Sequence, residues 1–451
     1  MKEEPRFSRE HWSSRLTFVL ASAGSAVGLG NIWKFPYITG NNGGGMFVLV
    51  YLACIVCVAV PLLVCEMLIG ARGQANAVQA FENIHGPRSP WRFLGMLALL
   101  GVFLILSFYS VVGGWVLEFL TLATTGRFVH TDPQAVGGML EKSWADPARQ
   151  VAWLFAFITL NAVVIAGGFK RGLERANAVL MPALVIILLL LLVHAALLPG
   201  IGAALAFLFW PDASRLTAGG VLDALGHSFF TLNIAAAVHI TYSSHLTDTK
   251  SLGRSALAIA LFDTVIALLA GIVIFAIAFS FGMETGVGPT LIFRTLPVLF
   301  ANMTLGWLVS VLFFLLVAFA ALTSSLSMFE ALVCHATETC AMGRKTATLT
   351  VAAAAFPLGI ASALSTNVLS EWTLRGKTAF ALLDWVTTNL FLPAGGVGMA
   401  LFVGWVMGPK AVVLILGERL GQSLWGRAFL WLLRLPAPAA VCAVWIRGLM
   451  G

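Results

Sequence analysis

Asp263 is an acid early in a long apolar run, where an unpaired carboxylate costs at least a few kcal/mol, so a cation or a proton is expected beside it. Two other stretches break helix chemistry inside apolar segments. Ala23-Gly24-Ser25-Ala26-Val27-Gly28-Leu29-Gly30-Asn31 places three glycines within seven residues, followed by the cation of Lys34. Glycine at that density permits an unwound stretch, although Gly24 and Gly28 also form a Gly-x-x-x-Gly pair of the kind that lets helices touch. Gly226-His227-Ser228-Phe229-Phe230-Thr231-Leu232-Asn233 repeats the theme, with His227, Thr231 and Asn233 ahead of three alanines. A hydroxyl cluster, Thr323-Ser324-Ser325-Leu326-Ser327, completes the set, though such hydroxyls usually bond back to their own helix.

The elements that must hold these residues are membrane helices. Of 451 residues, 59% are hydrophobic and 10% charged, against about 25% charged in a soluble domain. Apolar runs near 15–38, 44–71, 93–124, 151–168, 176–198, 219–244, 255–282, 304–339, 346–363, 376–407 and 428–446 are each read as a span of the bilayer. With the N-terminus inside, seventeen of the 27 Lys and Arg residues fall in inner segments and eight in outer ones, with Lys34 and Arg434 in spans. The positive-inside rule selects that orientation, in a plasma membrane or bacterial inner membrane, with a cytoplasmic N-terminus and an extracellular C-terminus. The net charge of +7 is thereby explained without nucleic acid. Leu16 to Ala26 has the look of a signal sequence, but the polar continuation and the later spans argue against its removal, so Met1 is read as a cytoplasmic start. Cys54 and Cys57 have a metal-like spacing, yet sit on an apolar helix with no fixed partner and are read as packing; no disulfide is expected.

Five spans separate the two polar breaks, the spacing of an inverted repeat of five plus five, whose paired discontinuous helices hold substrate and ions near the midplane. The expected organisation is an all-α polytopic membrane protein with eleven transmembrane helices. A cytoplasmic segment covers 1–14, a first repeat 15–198 (spans one to five), a second repeat 219–407 (spans six to ten), and a cytoplasmic connection with span eleven 408–451. The stretch from Arg127 to Arg149 is read as an outer loop with some helix. A channel would need a carbonyl-filter motif or rings of like charge, and an enzyme a nucleophile with its base; spacing assembles neither. An amino acid-sensing receptor is the alternative left standing.

Arg9-Glu10-His11-Trp12, Gly28-Leu29-Gly30-Asn31-Ile32-Trp33-Lys34-Phe35-Pro36, Asn42-Gly43-Gly44-Gly45, Phe229-Phe230-Thr231-Leu232 and Leu322-Thr323-Ser324-Ser325 carry a resemblance to the neurotransmitter:sodium symporter family, which has the LeuT fold. The eleven-span form is similar to bacterial members that carry hydrophobic amino acids. The resemblance implies a sodium-coupled symporter, not an enzyme, that imports hydrophobic and aromatic L-amino acids by alternating access with two sodium ions. It implies a first sodium site at the Ala26 carbonyl, Asn31, Thr231 and Asp263, completed by the substrate carboxylate, and a second at the Gly24, Val27 and Ala320 carbonyls with Thr323 and Ser324. The implied substrate set is Ala26, Gly28, Leu29, Gly30, Ile105, Tyr109, Phe230, Thr231, Asn233, Ala236, Ser324 and Met328. Within it the Leu29 and Gly30 amides and the Tyr109 hydroxyl meet the carboxylate, carbonyls near Ala26, Phe230 and Thr231 meet the ammonium, and Ile105, Phe230, Ala236, Ser324 and Met328 surround the side chain. Gates follow the same way: Lys34 with Asp384 outside, and Arg9 with Glu338 inside, beside Trp12 and Tyr242.

Four departures accompany the resemblance. Lys34 stands where the family usually has Arg, and His245 where tyrosine is common. Asp263 stands where the family typically has Asn, and Ala267, one turn later, replaces the Ser of chloride-dependent animal members and the Glu of several bacterial ones, which implies chloride independence with Asp263 supplying the charge. Gly172 and Pro182 bracket a possible hinge in the fifth span, where Pro182 leaves the Ala178 carbonyl without its helical partner.

Overall fold

The computed structural model describes residues 10–247, 252–283 and 291–450, and the described part is all helix and loop apart from one isolated bridge between Leu374 and Lys377. Among these residues nine helices are long and apolar enough to cross a bilayer, and the bent pair α1 (Arg15–Ala26) and α2 (Gly30–Asn41) would make a tenth. The nine are α3 (Gly45–Gly73), α4 (Arg92–Thr124), α5 (Pro147–Ala166), α6 (Phe169–Ala196), α9 (Leu252–Ser280), α10 (Gly306–Thr339), α11 (Arg344–Thr366), α12 (Ala379–Met407) and α13 (Leu424–Met450). Between α6 and α9 lie α7 (Ala218–Thr231, 14 residues) and α8 (Val238–Ser243, 6 residues), each too short to cross alone.

Local chemistry explains where the helices start and stop. Ser14 caps α1 by accepting from the Thr17 amide, with the Thr17 side chain returning to the Ser14 amide. Asp146 caps α5 at the Arg149 amide with Pro147 in the first turn, so this helix begins four residues before the apolar run does. The 127–149 loop folds into the short helices Pro133–Gly137 and Met139–Trp144, stitched to α4 by Glu118, which pairs with Arg149 at 2.6 Å and accepts from Ser143.

The helices divide into a frame and a broken centre. α4, α5, α10 and α11 pack along one another, while α1 packs against α6, α9 and α10. Small residues permit the close approaches: a Cβ on Gly113 would fall 2.4 Å from the Phe157 ring, and one on Gly70 would fall 2.0 Å from the Ile240 carbonyl.

Candidate functional site

The first break opens because Val27 leaves the helix in an extended conformation, and α2 resumes at Gly30 through a π-helical turn, bent 48° from α1. Asn31 compensates: its Oδ1 accepts from the freed Gly28 amide at 3.0 Å, as a capping side chain does. The second break runs from Leu232 to Ala237, with Asn233, Ala235 and Ala237 at φ of 50°, 66° and 59°. For alanine this left-handed conformation costs on the order of 1–2 kcal/mol per residue, and alanine favours helix, so tertiary contacts must hold the segment open. Three such contacts are evident. The Ala235 amide donates to Glu66 Oε1, the His239 ring Nε2 bonds the Leu232 carbonyl at 2.7 Å, and Asn233 Nδ2 donates to the Ser25 carbonyl at 2.5 Å.

Asp263 lies where the two breaks face each other. Asn31 Nδ2 donates to its Oδ1 at 2.7 Å and to its backbone carbonyl at 3.0 Å, and the Thr231 hydroxyl lies 3.1 Å from both carboxylate oxygens. All three residues are buried. The Asp263 carboxylate and the Thr231 hydroxyl thus meet as hard oxygen groups, with the Asn31 amide turned so that its nitrogen holds Asp263 and its oxygen caps Gly28. In the second implied ion site, Thr323 bonds back to the Phe319 and Ala320 carbonyls at 3.0 and 3.1 Å, while Ser324 donates to the Ser25 carbonyl at 2.9 Å. Gly24 sits against Met181 and Asn177 of α6.

Beside Asp263 is a cavity of about 30 Å³ lined by Ala26, Gly28, Leu29, Gly30, Ile105, Tyr109, Phe230, Thr231, Asn233, Ala236, Ser324 and Met328, with Leu392 added from α12. The implied substrate set is therefore brought together as one wall. Gly28 is required by contact, since a Cβ there would stand 2.4 Å from Ser324 Oγ, whereas one on Gly30 would meet the Phe230 ring at an ordinary 3.5 Å. The Tyr109 hydroxyl faces the Leu29 backbone and Ser324, and makes no hydrogen bond among the described residues. At one water's volume the cavity is contracted. Phe230 and Leu392 also line a vestibule of about 500 Å³ with Lys34, His227 and Arg447, so these two apolar side chains are the partition between cavity and vestibule. Lys34 Nζ lies 3.8 Å over the Phe230 ring. No ion pair joins Lys34 to Asp384 among the described residues, and Thr388 donates to Asp384 at 3.4 Å.

The opposite end is tied shut. The Trp12 indole donates to the Tyr242 carbonyl at 2.8 Å and packs edge-on against Phe18, Phe169 and Tyr242. Ser13 bonds both oxygens of Glu174, and Glu338 accepts from the Asn76 amide at 2.7 Å. Arg9 lies outside the described residues. Gly172 sits in a π-helical turn, where a Cβ would fall 2.1 Å from the Val164 carbonyl, and Pro182 lies inside α6.

Three participants were not singled out from sequence. Glu66 carries the same signal as Asp263, an acid flanked by apolar residues in a span. Leu392 and the Ser25 carbonyl carry none, being an ordinary apolar residue and a backbone group.

Two broken helices meeting at a buried acid inside a helical frame define a membrane transporter of the LeuT-like fold. The structure aligns with that of MhsT in complex with L-phenylalanine at a TM-score of 0.89 and 39% identity, over 98% of this chain and 100% of that one. The chain belongs to the sodium:neurotransmitter symporter family, whose model matches residues 9–143 and 138–450. It is 37% identical over 439 residues to the uncharacterized sodium-dependent transporter YhdH of Bacillus subtilis, covering 96% of both chains. It is 34% identical to an uncharacterized sodium-dependent transporter of Haemophilus influenzae, covering 89% of this chain and 90% of that one.

Proposed function

We infer that the protein is a sodium-coupled symporter of hydrophobic and aromatic amino acids, working by alternating access. The observation that carries this reading is the meeting of Asn31, Thr231 and Asp263 at 2.7–3.1 Å beside a cavity walled by Ile105, Phe230, Ala236, Met328 and Leu392. In this proposal the first sodium ion sits among the Ala26 carbonyl, Asn31, Thr231 and Asp263 and is completed by the substrate carboxylate, so each binds better with the other present. The carboxylate also meets the Leu29 and Gly30 amides at the start of α2 and the Tyr109 hydroxyl. The apolar wall takes the side chain and must expand from its contracted volume, which Met328 accommodates by repacking.

A second sodium ion is proposed between α1 and α10, at the Gly24, Val27 and Ala320 carbonyls with Thr323 and Ser324. The proposal extends to eleven spans in a five-plus-five inverted repeat, and to an N-terminus on the cytoplasmic side, so the vestibule faces outward. Lys34 and Asp384 then approach as the outside closes, and α6 yields between Gly172 and Pro182 as the inside opens. Chloride independence is part of the proposal, because buried Ala267 has no hydroxyl to hold the anion and Asp263, one turn before it, supplies the negative charge instead.

Uptake of labelled phenylalanine, tryptophan and leucine into proteoliposomes tests the reading. An inward sodium gradient is expected to drive accumulation, an equal potassium gradient is not, and replacing chloride by gluconate is expected to leave the rate unchanged. Accumulation without sodium would overturn the coupling, and binding without uptake would make the protein a receptor.

A further inference from the structure

On the lipid-facing side of the frame, α5 and α11 pack side by side but leave a groove of about 510 Å³ where Ala162 and Ala166 face Ala352 and Ala353. One end of the groove is closed by Phe155 against Phe356, ring centroids 5.9 Å apart. The other end opens beside Lys345 at the start of α11. From Lys345 to Phe356 is eleven steps along the helix, a rise of roughly 16 Å, about half of the ~30 Å hydrocarbon layer. The groove is therefore one leaflet deep.

Charge is confined to its mouth. Lys345 is exposed, makes no ion pair among the described residues, and no acidic residue lines the groove. The neighbouring Arg344 is already committed, to Glu330 at 3.0 and 2.5 Å and to the Ile165 carbonyl at 2.8 Å. The Thr348 hydroxyl turns back to the Arg344 carbonyl at 2.9 Å, leaving the wall below Lys345 effectively apolar.

We propose that this groove is a binding site for an anionic phospholipid of the leaflet at the Arg344 end of the bundle, one acyl chain lying between α5 and α11 and the headgroup on the Lys345 ammonium. The depth matches one chain, and a single unpaired cation at headgroup level selects an anionic head over a zwitterionic one, whose own cation it would repel. A second copy of the protein is a poorer occupant. Seated by a two-fold axis on the same groove, it would bring two Lys345 ammonium groups into one apolar seam with no acid to pair them.

The test uses the full chain in nanodiscs with phosphatidylglycerol or phosphatidylcholine carrying the same photoreactive acyl chain, reading labelled peptides by mass spectrometry. Phosphatidylglycerol is expected to label residues 155–166 and 345–356 roughly fivefold more than phosphatidylcholine, the ratio that about 1 kcal/mol per basic residue supplies. Lys345→Gln should erase that preference. Ala353→Phe should lower labelling of this groove by both lipids while labelling elsewhere on the lipid-facing belt stays constant, which reports an intact fold. Equal labelling by the two lipids in the unaltered protein overturns the proposal, as does labelling that persists in Ala353→Phe. A dimer that Ala353→Phe dissolves would also overturn it, since the groove would then seat a second copy.

Discussion

The two ends of the broken centre close by different physics. At the Trp12 end the contacts are short and directed: an indole on a backbone carbonyl at 2.8 Å, three aromatic edges, and two carboxylates on neighbouring donors. At the Lys34 end a wide vestibule separates long charged side chains, with Lys34 resting on Phe230 and Arg447 holding Asp223 at 2.8 Å. Packed rings and backbone bonds hold one geometry, whereas charges on flexible stems in an open vestibule trade partners at little cost. Under the proposed alternating access, the first end is the one whose contacts have to break and the second the one left free to close.

Substitutions can break or sharpen that contrast. The largest effect is expected at Asp263, which lies between the two ends where the breaks meet. Asp263→Ala removes an acceptor for Asn31 and Thr231, and since hydrogen bonds to charged groups are worth about 1.5–3 kcal/mol each, sodium-driven uptake should fall by at least about a hundredfold. Asp263→Asn should be impaired or newly responsive to chloride; full activity in either variant would remove Asp263 from the ion site.

At the latched end, Trp12→Ala deletes a hydrogen bond and three ring contacts, worth about 0.5–1.5 kcal/mol apiece. Amide exchange over residues 169–174 should accelerate roughly tenfold or more, with the vestibule end unaffected. Unchanged exchange would mean the latch lies elsewhere.

Between the two ends, Ala236→Phe overfills the apolar wall at a cost of about 1–3 kcal/mol for a large substrate, so tryptophan binding should weaken roughly tenfold more than leucine binding. Equal losses would take Ala236 out of the side-chain wall. Pro182→Ala restores a helix donor in α6 and should slow uptake by roughly threefold without changing binding. It is the cleaner probe of the hinge, because a methyl group on Gly172 would strike the Val164 carbonyl whether or not the helix moves. The vestibule is expected to contribute a similarly small effect: Lys34→Gln removes a cation–π contact of about 0.5–1 kcal/mol, and phenylalanine affinity should drop by roughly two- to fivefold. A tenfold or larger loss of affinity would erase the distinction between the two ends.

What the sequence by itself determined was set by short-range rules. A helix satisfies its own backbone, so apolar run length places the spans closely: 93–124 was expected and Arg92–Thr124 is found, 304–339 against Gly306–Thr339, 376–407 against Ala379–Met407. The breaks were legible because glycines crowd one, and polar residues sit at membrane depth in both. Tertiary structure decided what depends on neighbours distant in the chain. Ala235 and Ala237 favour helix locally and are held open by groups such as Glu66, reached across 169 residues from the Ala235 amide. Leu392 joins the cavity wall because of where α12 packs, and its type gave no hint of it. Lys34 lies on Phe230 with Asp384 unpaired to it, because a flexible ammonium settles on the nearest negative surface, and which surface that is depends on how far the helices stand apart.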